Sequence, residues 1–266
     1  MKERWGTMLL AGLLGTALLS GCGSSASDSA SSAADPKPSE TTTTAEGTKE
    51  DLIFVNYRDI RDLNPHLYAG EMYAQEMLYE GLVNITSDGF EGCLAESWDV
   101  SEDGMTYTFH IRENAKWSDG VALTANDFEY TLKLMADPAA ASTNGWLFDG
   151  VIVNFGEALY SNGKTPDDIA VKAIDDKTLE IKLTHPASYF LELVSSVYPV
   201  RQDKYEEWGD AYGSSADKII CSGPFQVESW NQNTEMVLVK NPNYWNAENV
   251  KLDKINNRII QENATA

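Results

Sequence analysis

Trp117, Ser118, Asp119, Thr124, Asn126 and Asp127 crowd into eleven residues of the stretch ENAKWSDGVALTANDFEYTLKLM, residues 113–135. Hydroxyls set beside carboxylates can form a reacting site, or they can satisfy backbone groups at a turn and at a helix start. The local order favours the second use. Ser118-Asp119-Gly120 has the composition of a tight turn. Thr124 and Asp127 stand three apart, the spacing of a capping box: the hydroxyl accepts from a free N–H of the first turn and the carboxylate reaches back. Phe128, Leu132 and Met135 follow at i, i+4 and i+7, one buried helix face, and Asp137-Pro138 ends it. The polar cluster is therefore expected to close a turn and cap a helix.

The remaining candidates for chemistry are dispersed. With 41 acidic side chains, some pair could stand at the separation used by glycosidases, although most read as a solvated face. His66, His110 and His185 are scattered and read as structural donors, His110 as an outward strand residue. Cys93 and Cys221 lie in no CxxC and near no second soft ligand, so no metal site and no cofactor is expected. They either pair, as export would allow, or stay free and buried. No GxSxG, HExxH, Walker loop or helix-opening GxGxxG occurs.

The elements that must position these groups are a mixture. Leu52–Tyr57 is a short apolar run read as a buried strand, and Glu71–Leu82 carries apolar residues at near-helical spacing with Gly81 near its end. Met105–Arg112 alternates, with Met105, Tyr107, Phe109 and Ile111 on one face. Val171–Ile174 and Leu179–Leu183 flank Asp175-Asp176-Lys177, and Phe225–Val227 and Met236–Val239 flank a polar loop, as two hairpins. Strands and helices mix, so the class is α/β or mixed α+β, without a solenoid repeat.

The 266-residue chain carries 20 basic against 41 acidic side chains, a net charge of −21. Such a surface repels phosphate backbones and argues against nucleic-acid binding. Lys2 and Arg4 precede an apolar run, Met8–Leu19, too short to span a bilayer as a mature helix and followed by small residues, as in a secretory signal. Leu19-Ser20-Gly21-Cys22 resembles the bacterial lipobox, in which the cysteine is acylated. Residues 23–50 have almost no large apolar side chain, and as a flexible tether would span roughly 30 Å. The expectation is a body held by lipid at the outer face of the cytoplasmic membrane, or in the periplasmic space.

Several strings, in order, resemble the solute-binding proteins of bacterial ATP-driven importers, in the oligopeptide-, dipeptide- and nickel-binding family. They are LNPHL (63–67), EGLV (80–83), LAESWDVSEDGMTYTFHIRENAKWSDGVALTANDFEYTLK (94–133), VKAIDDKTLEIKL (171–183), SGPFQVESW (222–230) and KNPNYWN (240–246). The long central string marks the family and is not a catalytic motif in it. The resemblance implies a periplasmic-binding-protein-like fold with a discontinuous lobe I, here 51–79 and 200–266, and an inserted domain II, 80–199. It also implies a third domain, which this chain would lack, as if truncated before it.

For function, the resemblance implies a monomeric binder that passes peptides to a permease and its ATPase subunits. Ligand contacts would come from Tyr68, Ala69, Gly70 and Glu71 after the NPH motif, offering backbone groups, and from Asn144 and Trp146. Trp146 reads equally well as a core aromatic. Within the family the alternatives are a nickel complex, haem or an oligosaccharide. Outside it, the alternative is a secreted hydrolase.

Overall fold

The computed structural model describes residues 51–56, 59–66 and 72–260, all within one unit, 47–266. In chain order they form β1 (Asp51–Asn56), α1 (Met72–Leu78), β2 (Val83–Thr86), β3 (Gly89–Gly92), β4 (Ala95–Val100), β5 (Thr106–Ile111) and α2 (Ala125–Met135). There follow α3 (Phe155–Leu159), β6 (Val171–Asp175), β7 (Thr178–Lys182), α4 (Phe190–Ser195), α5 (Gln202–Trp208), β8 (Phe225–Asn231), β9 (Glu235–Lys240) and β10 (Lys254–Ile259).

Two four-stranded sheets carry the fold. One is antiparallel throughout, in the order β4-β5-β7-β6. Its central strand β5 shows the alternation read in the sequence: Tyr107, Phe109 and Ile111 are buried while Thr106, Thr108 and His110 are half-buried. Period-two geometry sends the buried set to one face, and α2 covers that side through Phe128, Leu132 and Met135. The other sheet has the order β1-β10-β9-β8, with β1 parallel to β10 and the remaining pairs antiparallel. The β2–β3 hairpin stands apart.

Each sheet has its own apolar core. The first gathers Phe109, Trp117, Phe128, Leu132, Leu179 and Phe190. The second gathers Ile60, Leu78, Tyr79, Phe225, Met236 and Leu238.

Two local expectations change. The strand expected to be buried has Leu52 and Ile53 exposed, and among the described residues β1 lies at a sheet edge. The first helix stops at Leu78 rather than Leu82, because Tyr79–Gly81 must leave the helical path to meet the end of α4. Of the two states left open for the cysteines, Cys93 and Cys221 adopt the second: both are buried and free.

Candidate functional site

The polar stretch that opens the question of chemistry is engaged in holding the chain together. Asp127 Oδ2 accepts the Thr124 backbone N–H at 2.8 Å, and the reciprocal capping-box pair is in place. Burial lifts the Asp127 carboxyl to about 6, against the pull of the Thr124 N–H. The Ser118 N–H donates to the Cys221 carbonyl at 2.8 Å, and the Cys221 N–H donates to Ser118 Oγ at 3.1 Å. Asn243 Nδ2 donates to the Ser118 carbonyl at 2.9 Å. Arg201 donates to Asp119 and to Asp203. Gly120 closes the turn at φ +87°, a conformation that excludes most side chains. Since Trp117 lies in the first core and Cys221 in the second, this turn ties the two cores together.

Between those cores lies a cleft of about 790 Å³, bounded by α1, β2 and the end of α4. Such a volume suits a small ligand or short peptide. At its inner end, Gly81 approaches α4 so closely that a Cβ there would sit 2.4 Å from the Ser195 carbonyl oxygen. Beside it Glu80 is held on both oxygens: the Tyr244 hydroxyl donates to one, and Trp245 Nε1 donates to the other at 2.7 Å. Burial raises the Glu80 carboxyl above the usual range, outweighing those two donors and the attraction of Arg112. The Arg112 guanidinium lies 3.8 Å from the centroid of the Trp245 ring and donates to the Cys93 and Gly92 carbonyls. Tyr79 and Tyr198 stack along the cleft wall, 6.0 Å between centroids.

The candidate contacts fall in different places. Asn144 lines the cleft. Trp146 is 63% exposed, so it is not a core aromatic, and it does not line the cleft. Tyr68, Ala69, Gly70 and Glu71 lie outside the described residues, as does Cys22. Pro65 and Gln75, on either side of residues 68–71 in the chain, both line the cleft. Glu76, Glu80, Glu192 and Tyr198 line it too and were not singled out from the sequence. Glu80 had a signal: a lone carboxylate inside the apolar run MLYEGLV.

Among the described residues the thiols and imidazoles form no reacting group. Burial pushes the Cys93 thiol up to about 12, with Glu80 and Glu91 adding to the shift, and burial does the same to Cys221. His110 pairs with Asp99 at 2.8 Å and His185 with Thr184 at 2.9 Å. His66 is buried against the edge of Tyr205. Among the described residues no three His, Cys, Asp or Glu side chains are placed to hold a metal ion.

Comparison with known proteins points to one family. The family model for bacterial extracellular solute-binding proteins, family 5 Middle, matches residues 89–266. The chain is 38% identical over 191 residues to the dipeptide-binding protein DppE of Bacillus subtilis, covering 71% of this chain and 35% of that protein. It is 33% identical over 275 residues to the oligopeptide-binding protein OppA of the same organism, covering 100% of this chain and 47% of that one. The chain thus spans less than half the length of these relatives. Among solved structures, the substrate-binding domain of an oligopeptide ABC transporter from Bacillus anthracis superposes with a TM-score of 0.77 at 33% identity, covering 82% of this chain and 43% of that one. Listeria monocytogenes OppA bound to peptide also gives 0.77, at 30% identity, over 82% of this chain and 44% of that one.

Proposed function

The chain belongs to the bacterial extracellular solute-binding proteins of family 5, and from that premise we propose that it captures short peptides and delivers them to an importer. Binding takes place in the cleft between α1 and α4, without turnover, and the loaded protein then meets a permease and its ATPase subunits. The observation that carries this reading is the cleft itself: about 790 Å³, set where the two apolar cores meet. Peptide is favoured as the ligand because relatives are named for oligopeptides and dipeptides, and one related structure is described as bound to peptide.

In this reading Asn144 and the backbone of Tyr68–Glu71 touch the ligand, as main-chain groups can for any peptide sequence, while Trp146 meets it from outside the cleft. The sheet of β1, β8, β9 and β10 belongs to a discontinuous lobe, 51–79 with 200–266, and the sheet of β4–β7 to an inserted domain, 80–199. The protein acts as a monomer, anchored through acylated Cys22 by the tether of residues 23–50.

Mass spectrometry of ligand released from the purified protein tests the first claim. A mixture of short peptides, rebound saturably in calorimetry, is expected. A nickel complex, haem or oligosaccharide in their place would overturn the peptide reading, and recovery of cleaved peptide would overturn binding without turnover. For the anchor, Cys22→Ser should move the protein from the membrane fraction to the soluble one. Membrane retention at the wild-type level would count against acylation.

A further inference from the structure

The cleft has a charge as well as a volume. Three carboxylates line it, Glu76, Glu80 and Glu192, and no Lys, Arg or His among the described residues does. Glu80 is occupied by Tyr244 and Trp245. Arg112, the cation near it, is turned to the Trp245 ring and to two backbone carbonyls. Glu76 and Glu192 are different: both are exposed, on α1 and α4 respectively. Neither forms an ion pair with a described residue. A positive group lodged in the cleft therefore meets one available carboxylate from each wall. The half-buried Tyr198 lines the same space, and aromatic faces attract cations through their negative quadrupole. The chain's net charge of −21 adds a long-range field of the same sign.

We infer that this cleft selects cationic peptides, with Glu76 and Glu192 as the residues that set the preference. The inference rests on the peptide reading above and narrows it. A peptide bearing lysine or arginine side chains places them between the two carboxylates, while an acidic peptide brings its own negative charge against three. Because both carboxylates are exposed, each contributes modestly and is screened by salt. Together they should favour a doubly charged peptide about tenfold over a neutral one.

Calorimetry on the full chain tests this with one pentapeptide that carries two lysines, and with versions carrying glutamine or glutamate in their place. The lysine peptide should bind about tenfold more tightly than the glutamine peptide and the glutamate peptide most weakly. Raising the salt should narrow the gap. In the Glu76→Gln/Glu192→Gln variant, checked by thermal melting to be folded, the lysine-to-glutamine ratio should fall to within about twofold of one. Equal affinities in the unaltered protein, or a preference that survives the double substitution, would overturn the charge selection while leaving the peptide reading intact. If none of the three peptides binds, the peptide reading falls and the charge selection with it.

Discussion

Thr124 and His66 show two ways in which a single side chain is fixed by its surroundings. Thr124 starts α2 through its exchange with Asp127. Thr124→Ala leaves a first-turn donor without its partner and should cost about 1 kcal/mol of stability by urea denaturation, with ligand affinity unchanged. A large affinity loss at unchanged stability would make residues 117–127 a binding site after all. His66 is 1% exposed, its ring nitrogens have no hydrogen-bond partner among the described residues, and burial lowers its pKa to about 4. In the unfolded chain it titrates near 6.5. The unfolded state therefore binds the extra proton between those values. Stability from neutral His66 is fully present above about 6.5 and is lost as pH falls towards 4, by about 3 kcal/mol in all. His66→Phe keeps a ring against Tyr205 and removes the titration. Its stability relative to the parent should rise by that order between pH 7 and pH 4, and an unchanged difference across that range would show that His66 is not buried in its neutral form. The capping pair was legible because its partners are three residues apart. The burial of His66 was not, because Tyr205, which packs on it, comes much later in the chain.

Elements were readable wherever one face alone is buried. β5 and α2 declare themselves by periods of two and 3.6, since each has a dry side and a wet side. β4, with mostly exposed residues, and β10, with the sequence KINNRI, have no such contrast and were not foreseen. Asn257 of β10 is buried but polar, its Nδ2 donating to the Tyr73 hydroxyl at 3.2 Å, so composition disguised a core-facing position. The same limit applies to the cleft. Glu76 and Glu192 read as ordinary surface acids until α1 and α4 are placed on either side of it. Gly81 is the element-scale control on that placement. Gly81→Ala drives a Cβ to 2.4 Å from the Ser195 carbonyl, a backbone atom with little room to yield. Overpacking of this kind should cost about 2 kcal/mol and push α4 away from the start of β2. Urea denaturation reads the first effect, and weaker peptide binding the second. A variant with the parent's stability would mean that the two segments are not in contact.

The whole molecule depends on how firmly its two cores are joined. Each core alone resembles a small unit of one sheet packed with helices, α2, α3 and α4 in the first and α1 in the second, and units of this kind can open separately. Several bonds oppose that: the two hydrogen bonds between Ser118 and Cys221, one of them to the Ser118 hydroxyl, the Asn243 side chain on the Ser118 carbonyl, and Glu80 held by Tyr244 and Trp245. They join segments distant in sequence, so breaking them releases chain entropy only when both cores come apart. The cores should therefore unfold as one. Native-state hydrogen exchange can follow this through the amides of Phe109 in β5 and Leu238 in β9, each on a strand paired on both sides. Both should exchange with the same opening free energy. Asn243→Ala, which leaves the Ser118 carbonyl without that donor, should lower both by about 1 kcal/mol. If Phe109 lost protection while Leu238 kept it, the cores would be independent, and nothing in the described residues would hold α1 and α4 at the spacing that makes the cleft.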